Sequence, residues 1–286
     1  MTKPERDGTL SIAGALVLVL LAGTVAAIVI VVAAGIAMLQ RGGSFGDAAE
    51  MVQRDTALLA LAQLAGLMTA SLVGLSRAHP GVPARDALEL RRAPAVTILL
   101  ALGAGSALQF PLHEIANLVA HLVPSLAPSV PEQHAMRQAI EIDGWRQALT
   151  VPFAIVAVPA ISEEIFFRGL LLPGLGRRYG HAIGIALSSI LFGLIHVAPI
   201  AIVYATVAGV LLGLVRRWTG SLWPPIALHG AFNAVPVMLP ASVVRIRGFN
   251  TIDEHVYHLP LAWVVGSLVV AGGCLWLLSW LGERAE

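Results

Sequence analysis

Residues 151–178 read VPFAIVAVPAISEEIFFRGLLLPGLGRR, and this stretch decides the fold. It is long and apolar enough to cross a hydrocarbon core, which takes about 20 residues of helix. Yet Glu163, Glu164 and Arg168 fall inside it. An ionisable residue at the centre of a spanning helix raises the free energy of insertion by about 2.5–3.5 kcal/mol and usually has a function. The stretch therefore predicts a membrane helix whose charged side chains face the interior of a bundle.

The composition of the whole chain agrees with a membrane protein. Of its 286 residues, 57% are hydrophobic and 12% are charged, whereas a soluble domain carries about 25% charged residues. A soluble enzyme, a disordered regulator and a nucleic-acid binder with a basic face are therefore excluded, and we expect no nucleic-acid partner. The single cysteine, Cys274, permits no intrachain disulfide.

Apolar runs long enough for membrane helices recur along the whole sequence. We predict an all-α, polytopic transmembrane helix bundle with about eight spanning helices, each needing about 20 residues, in one domain over residues 1–286. The predicted helices are 11–39, 56–76, 94–123, 147–175, 181–198, 199–216, 221–240 and 259–281.

The distribution of Lys and Arg predicts the orientation, since cytoplasmic loops carry an excess of both. The excess lies on the side that holds the N-terminus, which predicts both termini in the cytoplasm and an even number of spans. The cations of that side are Lys3, Arg6, Arg77, Arg85, Arg91, Arg92, Arg177, Arg178, Arg216, Arg217 and Arg284.

Two further predicted helices carry polar residues where lipid-facing positions would be apolar. His196 lies on the fifth helix, and His229 and Asn233 lie on the seventh. Counted from the arginine-rich helix ends at about 1.5 Å per residue, His196, His229 and Glu163 reach similar depths near the middle of the membrane. A shared site in a water-filled cavity explains this better than scattered polar residues do.

The spacing of these residues predicts how they are arranged. Glu164 and Arg168 are four positions apart, so they share a helix face and can form an ion pair. Glu163 is rotated by about 100° from Glu164 and has no local cation. His229 and Asn233 are also four apart, so both can face one point.

A carboxylate, two imidazoles and an amide at one buried point fit the hydrolysis of an acyl or amide bond, and two versions stay open. In the first, Glu163 and His196 hold and deprotonate a water, while His229 and Asn233 donate hydrogen bonds to the developing oxyanion. In the second, Glu163, His196 and His229 ligate a zinc ion that acidifies the water. The spacing alone does not decide between them.

Three motifs, in this order and on separate apolar helices, make residues 147–240 resemble the CPBP family of intramembrane proteases. That family includes the type II CAAX prenyl endopeptidases and the abortive-infection (ABI) proteins. The motifs are Glu163-Glu164-Ile-Phe-Phe-Arg168, Phe192 to His196, and His229 to Asn233.

The resemblance implies a catalytic core at residues 147–240 and an active site that opens within the membrane. By similarity, Glu163 and His196 activate water, and His229 and Asn233 stabilise the oxyanion. The remaining motif residues, Glu164, Arg168 and Phe192, support them. The family is commonly labelled metalloprotease, so zinc on Glu163, His196 and His229 is one expectation and a metal-free mechanism is the other.

The resemblance also implies a substrate and a location. We expect a membrane-associated protein or peptide as substrate, the lipid bilayer as surroundings and the bacterial inner membrane as location. The alternative to a peptidase is a non-enzymatic transporter or scaffold that uses the midplane polar residues for binding, as transporters with broken helices do.

A second polar stretch, His113-Glu114-Ile-Ala-Asn117, is similar to a zinc-binding HExxH sequence but has Asn117 where the second histidine is required. By helical rise it lies far from the arginine-rich ends, near the outer surface. We interpret these residues as interfacial polar groups, with a place in a cavity wall as the alternative.

Overall fold

The structure is a computed structural model and describes residues 8–284. Lys3 and Arg6, which contribute to the predicted orientation, lie outside the described residues. Within the described part of the chain every regular element is a helix. The longer helices are α1 Ile12–Arg41, α2 Phe45–Gln53, α3 Thr56–Ala78, α4 Ala95–Leu122, α5 Val130–Ile140, α6 Trp145–Tyr179, α7 His181–Leu194, α8 Pro199–Thr219, α9 Trp223–Met238 and α10 Leu261–Glu283. Single turns of helix also form at Ala84–Ala87 and Pro124–Leu126.

All eight apolar segments predicted from the sequence are helical, which confirms the polytopic helix bundle. Six of them, α1, α3, α4, α6, α8 and α10, are long and apolar enough to span a membrane. The other two are shorter: α7 has 14 residues and α9 has 16. At a rise of 1.5 Å per residue they reach only about 21 and 24 Å, so the helical part of each is shorter than a core about 30 Å thick.

The helix ends follow local signals in the sequence. Ser11 accepts a hydrogen bond from the Gly14 amide and so caps the start of α1. Asp55 caps α3 in the same way through the Leu58 amide. Gly220 ends α8 in the left-handed conformation at φ 61°, a conformation that glycine adopts without the steric cost of a side chain.

Hydrogen bonds between helix ends identify one face of the bundle, which we call the arginine-rich face. The carbonyl of Gly8 accepts from Arg177, the amide of Leu10 donates to the carbonyl of Gly174, and the hydroxyl of Ser221 donates to the carbonyl of Arg91. The start of α1 and the ends of α6 and α8 therefore lie together at this face.

The opposite face, which we call the loop face, carries α2, α5 and the irregular segment 239–260. Gln133 of α5 exchanges hydrogen bonds with the backbone of Asp253, and Arg137 donates to the carbonyl of Asn250. These contacts hold α5 against the segment 239–260, so the two form one layer over the bundle.

Glycines permit close helix packing beside the midplane. A side chain at Gly105 of α4 would collide with the carbonyl oxygen of Leu228 on α9. One at Gly193 of α7 would collide with Thr206 and the carbonyl of Ile202 on α8. The backbone of α4 therefore lies directly against α9, and that of α7 directly against α8.

The helix that contains the two glutamates is not regular throughout. It is π-helical over Pro152–Ala157 and Ile165–Leu171, on either side of an α-helical turn at Val158–Glu164. The spacing of the motif residues predicted a regular α-helix here, so the π segments are a difference from that prediction. Short π segments inside α-helices are frequent at functional sites, and both glutamates stand directly before the second one.

Candidate active site

Glu164 lies at the centre of a buried polar cluster. Its Oε1 accepts a hydrogen bond from Arg168 Nη1 at 2.8 Å and a second from His229 Nδ1 at 2.9 Å. The side chains of Glu164 and Arg168 have no exposed surface. The predicted pairing of Glu164 with Arg168 is present, and the contact with His229, which the spacing did not predict, ties α6 to α9.

Arg168 is enclosed by groups that balance its charge. Nη2 donates to the carbonyl of Gly209 at 3.0 Å, and the guanidinium carbon lies 4.3 Å from the ring centroid of Phe192, within range of a cation–π interaction. A Cβ at Gly209 would stand 3.3 Å from Nη2, so glycine leaves room for the guanidinium. Arg168 thus joins α6, α7 and α8.

Glu163 has a different environment from its neighbour. Its Oε1 accepts a hydrogen bond from Gln63 Nε2 of α3 at 2.6 Å. Its Oε2 has no hydrogen-bond partner among residues 8–284 and lies 3.8 Å from Nε2 of His229. The residue is 5% exposed. Glu164 is therefore paired with Arg168 through Oε1, whereas Oε1 of Glu163 is held by an uncharged amide. The second oxygen of Glu164, Oε2, likewise has no hydrogen-bond partner among residues 8–284.

His196 follows the end of α7, at the tip where the chain turns into α8. Its Nδ1 donates to the carbonyl of Phe192 at 2.9 Å, so the neutral ring presents Nε2 as an acceptor. Next to it, Val197 has φ 59°, a conformation that costs a branched residue about 1–3 kcal/mol and clusters at functional sites.

The aromatic ring of Phe192 contacts both imidazoles, with centroid distances of 5.0 Å to His196 and 5.8 Å to His229. Asn233 donates Nδ2–H to the carbonyl of Ile155 at 3.2 Å, which leaves its other N–H and its carbonyl oxygen for further contacts. The structure thus brings Glu163 close to His229, while His196 meets them only across a shared cavity.

The cavity has a volume of about 890 Å³, within the range of about 300–1,000 Å³ that ligand pockets occupy. It extends from the midplane residues to α5 and the segment 239–260 at the loop face. The predicted residues that line it are Glu163, Phe192, His196, His229 and Asn233.

The side chains present do not fit a zinc site. Among residues 8–284, no group of three or more His, Cys, Asp and Glu is arranged to hold a metal ion. The Nδ1 atoms of His229 and His196 contact Glu164 and a backbone carbonyl, which leaves Nε2 as the atom of each ring that could bind a metal. Glu163 and His229 face each other, but His196 does not complete the set of three ligands.

Two glutamines in the cavity wall were missed by the sequence analysis. Gln63 on α3 contacts Glu163 directly, and Gln109 on α4 is 8% exposed. Both stand inside long apolar helices, and that signal was available in the sequence. An uncharged amide costs less in a membrane helix than a carboxylate, so neither stood out beside the charged residues.

The stretch His113-Glu114-Ile-Ala-Asn117 connects α4 to the irregular segment at the loop face. Glu114 accepts hydrogen bonds from Nδ1 of His258 at 2.6 Å and from the amide of Leu259 at 2.8 Å. Asn117 donates to the carbonyl of Gly248 at 2.8 Å. These contacts agree with the interpretation as polar groups near the outer surface, and His113 and Asn117 also line the cavity.

Comparison with known proteins identifies a domain in the part of the chain that carries the three motifs. Residues 145–235 match the family model described as Rce1-like, type II CAAX prenyl endopeptidase. The match supports the family to which the motifs point, and it covers Glu163, His196, His229 and Asn233. No curated protein and no solved structure matches the chain.

Proposed function

Because the chain carries an Rce1-like domain of the type II CAAX prenyl endopeptidase family at residues 145–235, we propose that it is an intramembrane peptidase in which Glu163 activates the attacking water. The substrate is a membrane-associated protein or peptide, cut within or beside the bilayer.

The observation that carries the proposal is the unengaged oxygen of Glu163. Buried polar atoms are nearly always hydrogen-bonded, and Oε2 has no such partner among the described residues. Glu163, unlike Glu164, also lines the cavity. Its Oε2 faces Nε2 of His229 across 3.8 Å. A carboxylate oxygen in this position can accept a proton from a water in the cavity.

The reaction balances with the groups present. The water transfers a proton to Glu163 as its oxygen attacks the carbonyl carbon of the scissile peptide bond. The resulting oxyanion collapses, the C–N bond breaks, and Glu163 returns the proton to the leaving amine nitrogen. The products are a carboxylic acid, which ionises on release, and an amine, and the carboxylate of Glu163 is regenerated.

Charge balance supports the role of His229 as an oxyanion donor. Glu163 and Glu164 carry two negative charges against one positive charge on Arg168, so a proton on His229 makes the cluster neutral. The Nδ1–H group then still donates its hydrogen bond to Glu164, and the Nε2–H group points to the cavity. A preorganised donor in a dry site stabilises a developing oxyanion strongly.

Two further residues complete the proposed machinery. Nε2 of His196, which accepts in the neutral ring, helps to orient the water from the opposite wall of the cavity. The second N–H of Asn233, beyond the one donated to Ile155, is the second oxyanion donor. Since the three expected zinc ligands do not gather into one set, we derive no step that passes through a metal.

We also propose an orientation in the bacterial inner membrane. Both ends of the described chain lie at the arginine-rich face, because Gly8 contacts Arg177 and Gly282 contacts the backbone of Trp218 at the end of α8. Cytoplasmic loops are the ones enriched in Lys and Arg, so this face is cytoplasmic in the proposal, and the cavity extends towards the opposite face.

The test is Glu163→Gln, which keeps the shape of the side chain and removes the base. Protein termini are compared by mass spectrometry between cells that express the wild type and cells that express the variant. We expect new termini in membrane-associated proteins with the wild type only, and at least a 10³-fold loss of cleavage when the variant is purified and assayed on a peptide spanning such a site.

The control is Glu50→Gln, at an exposed surface glutamate of α2, which should cleave like the wild type. Thermal unfolding in detergent checks that Glu163→Gln inserts and folds. Normal cleavage by a folded Glu163→Gln would show that Glu163 is not the base, and termini unchanged by the wild type would contradict the peptidase itself.

A further inference from the structure

We propose that the helices α3 and α4, which lie outside the matched residues 145–235, complete the active site through two glutamines with different tasks. Gln109 binds the main chain of the peptide substrate, and Gln63 is a positioning residue for Glu163. This inference rests on the proposed function and extends it to residues that the family motifs do not include.

Gln109 stands at the depth of the oxyanion donors. Gly105, one turn earlier on α4, is in backbone contact with Leu228, and Phe110 packs in one cluster with Val235. Since α4 and α9 both start at the arginine-rich face and run in the same direction, Gln109 lies between these two levels. That interval on α9 holds His229 and Asn233.

The amide of Gln109 is buried but unengaged. The residue is 8% exposed and lines the cavity, yet its Oε1 has no hydrogen-bond partner among residues 8–284. A buried acceptor left unsatisfied costs about 1–3 kcal/mol, which a hydrophobic residue at the same position would avoid.

A peptide substrate supplies the missing partner. Each backbone unit offers one N–H and one C=O, and the carboxamide of a glutamine offers an acceptor and two donors. An extended peptide that enters from the loop face and presents its scissile carbonyl to His229 passes Gln109 at this depth. The chemical class recognised is therefore the peptide main chain rather than a particular side chain.

Gln63 differs from Gln109, because its side-chain amide already donates a hydrogen bond within the protein. It donates to Oε1 of Glu163 at 2.6 Å from a helix that packs along α6. With Oε1 held by α3, the carboxylate cannot rotate freely, and Oε2 stays directed towards His229 and the cavity. Gln63 thus acts on the reaction through the geometry of Glu163 and need not touch the substrate.

The two tasks predict different kinetic effects. Methionine has nearly the volume of glutamine without its hydrogen-bonding groups, so Gln63→Met and Gln109→Met are the matched variants. The probe is the cut-site peptide identified by the comparison of termini. We expect Gln63→Met to lower kcat about tenfold or more with KM unchanged, and Gln109→Met to raise KM about tenfold with kcat within about twofold, as loss of one hydrogen bond allows.

Ser71→Ala is the control for packing, since Ser71 is a buried residue of the same helix, two turns beyond Gln63. It should leave both constants unchanged, and unfolding in detergent should show all three variants folded. Folded glutamine variants with wild-type constants, or with kcat and KM altered alike, would overturn the inference while Glu163→Gln remains inactive. Activity in Glu163→Gln would instead contradict the proposed function.

Discussion

Two regions of the molecule contain the same kinds of polar side chain and use them differently. At the midplane, Glu163, His229 and Asn233 line a cavity; at the loop face, Glu114, Asn117 and His258 join α4 to the segment 239–260. Both oxygens of Glu114 accept hydrogen bonds, whereas Oε2 of Glu163 accepts none among the described residues.

The difference separates structural polar groups from chemical ones better than residue type does. A group that stabilises the fold has its hydrogen-bonding capacity filled by the protein, because any unfilled buried capacity costs stability. A group that acts on a substrate must keep capacity for it. By this criterion Glu114 is structural. Oε2 of Glu164 also lacks a partner among the described residues, but Glu164 has no exposed surface and does not line the cavity. Glu163 and Gln109 do line it, so their unfilled capacity is available for a ligand.

The largest effect on stability should come from Arg168→Met, which removes the cation from the midplane cluster. The variant leaves Glu164 fully buried without its ion-pair partner, and breaking a buried pair in this way typically costs about 3–5 kcal/mol. Chemical denaturation in detergent measures the free energy of unfolding, and Arg54→Met, at an exposed ion pair of α2, should change it by less than about 1 kcal/mol.

If the two arginine variants lost equal stability, the midplane cluster would not depend on charge pairing, and the contrast between the regions would fail there. The double variant Arg168→Met with Glu164→Gln sharpens the result. It removes both charges, so it should regain part of the loss, although His229 then faces a neutral amide.

A smaller effect is expected from Glu114→Gln at the loop face. The variant weakens charge-assisted hydrogen bonds to His258 and to the amide of Leu259, which are worth about 1.5–3 kcal/mol each at most. Hydrogen exchange should show faster exchange at Leu259 and its neighbours, while the helices around Glu164 keep their protection. Faster exchange at both regions together would mean that the contacts of Glu114 do not stabilise the loop face independently of the midplane cluster.

The sequence predicted the helices closely because an apolar run of fixed length has few alternatives in a membrane. The predicted 56–76 and 94–123 are Thr56–Ala78 and Ala95–Leu122. The pairing of Glu164 with Arg168 followed from helical spacing. The contact of Glu164 with His229 did not, because it depends on how α6 packs on α9.

The unpredicted parts of the site share one physical cause. The π segments of α6 and the place of Phe192 against both imidazoles arise from tertiary packing, which a helical repeat does not encode. Gln63 contacts Glu163 from 100 positions away, so no local pattern links the two. Sequence motifs predicted the residues proposed to react, and the structure was needed to find the residues that hold them.

The arginine-rich face is a third environment for charged side chains, and a variant there should have the smallest effect on stability. Glu89 lies in the segment before α4 and pairs with Arg216, with side chains 42% and 7% exposed. Burial by itself would raise the pKa of Glu89, but the hydrogen bond from Arg216 and the charges of Arg216, Arg91 and Arg177 outweigh it, so the pKa lies below its ordinary value.

A carboxyl group with a lowered pKa in the folded state stabilises the fold above its unfolded pKa and loses that contribution as pH falls through its folded pKa. The half-exposed pair should therefore contribute less than about 1 kcal/mol to the free energy of unfolding, and this contribution should be lost only below about pH 4.5.

The measurement is the difference in unfolding free energy between wild type and Glu89→Gln at pH 7 and at pH 3.5. It should shrink as the pH falls, and Asp86→Asn, at a more exposed neighbour, should show a smaller change. A difference that grew on acidification would mean that the neighbouring arginines do not favour the charged form of Glu89. The interaction between glutamate and arginine would then be unfavourable at this face and favourable at the midplane.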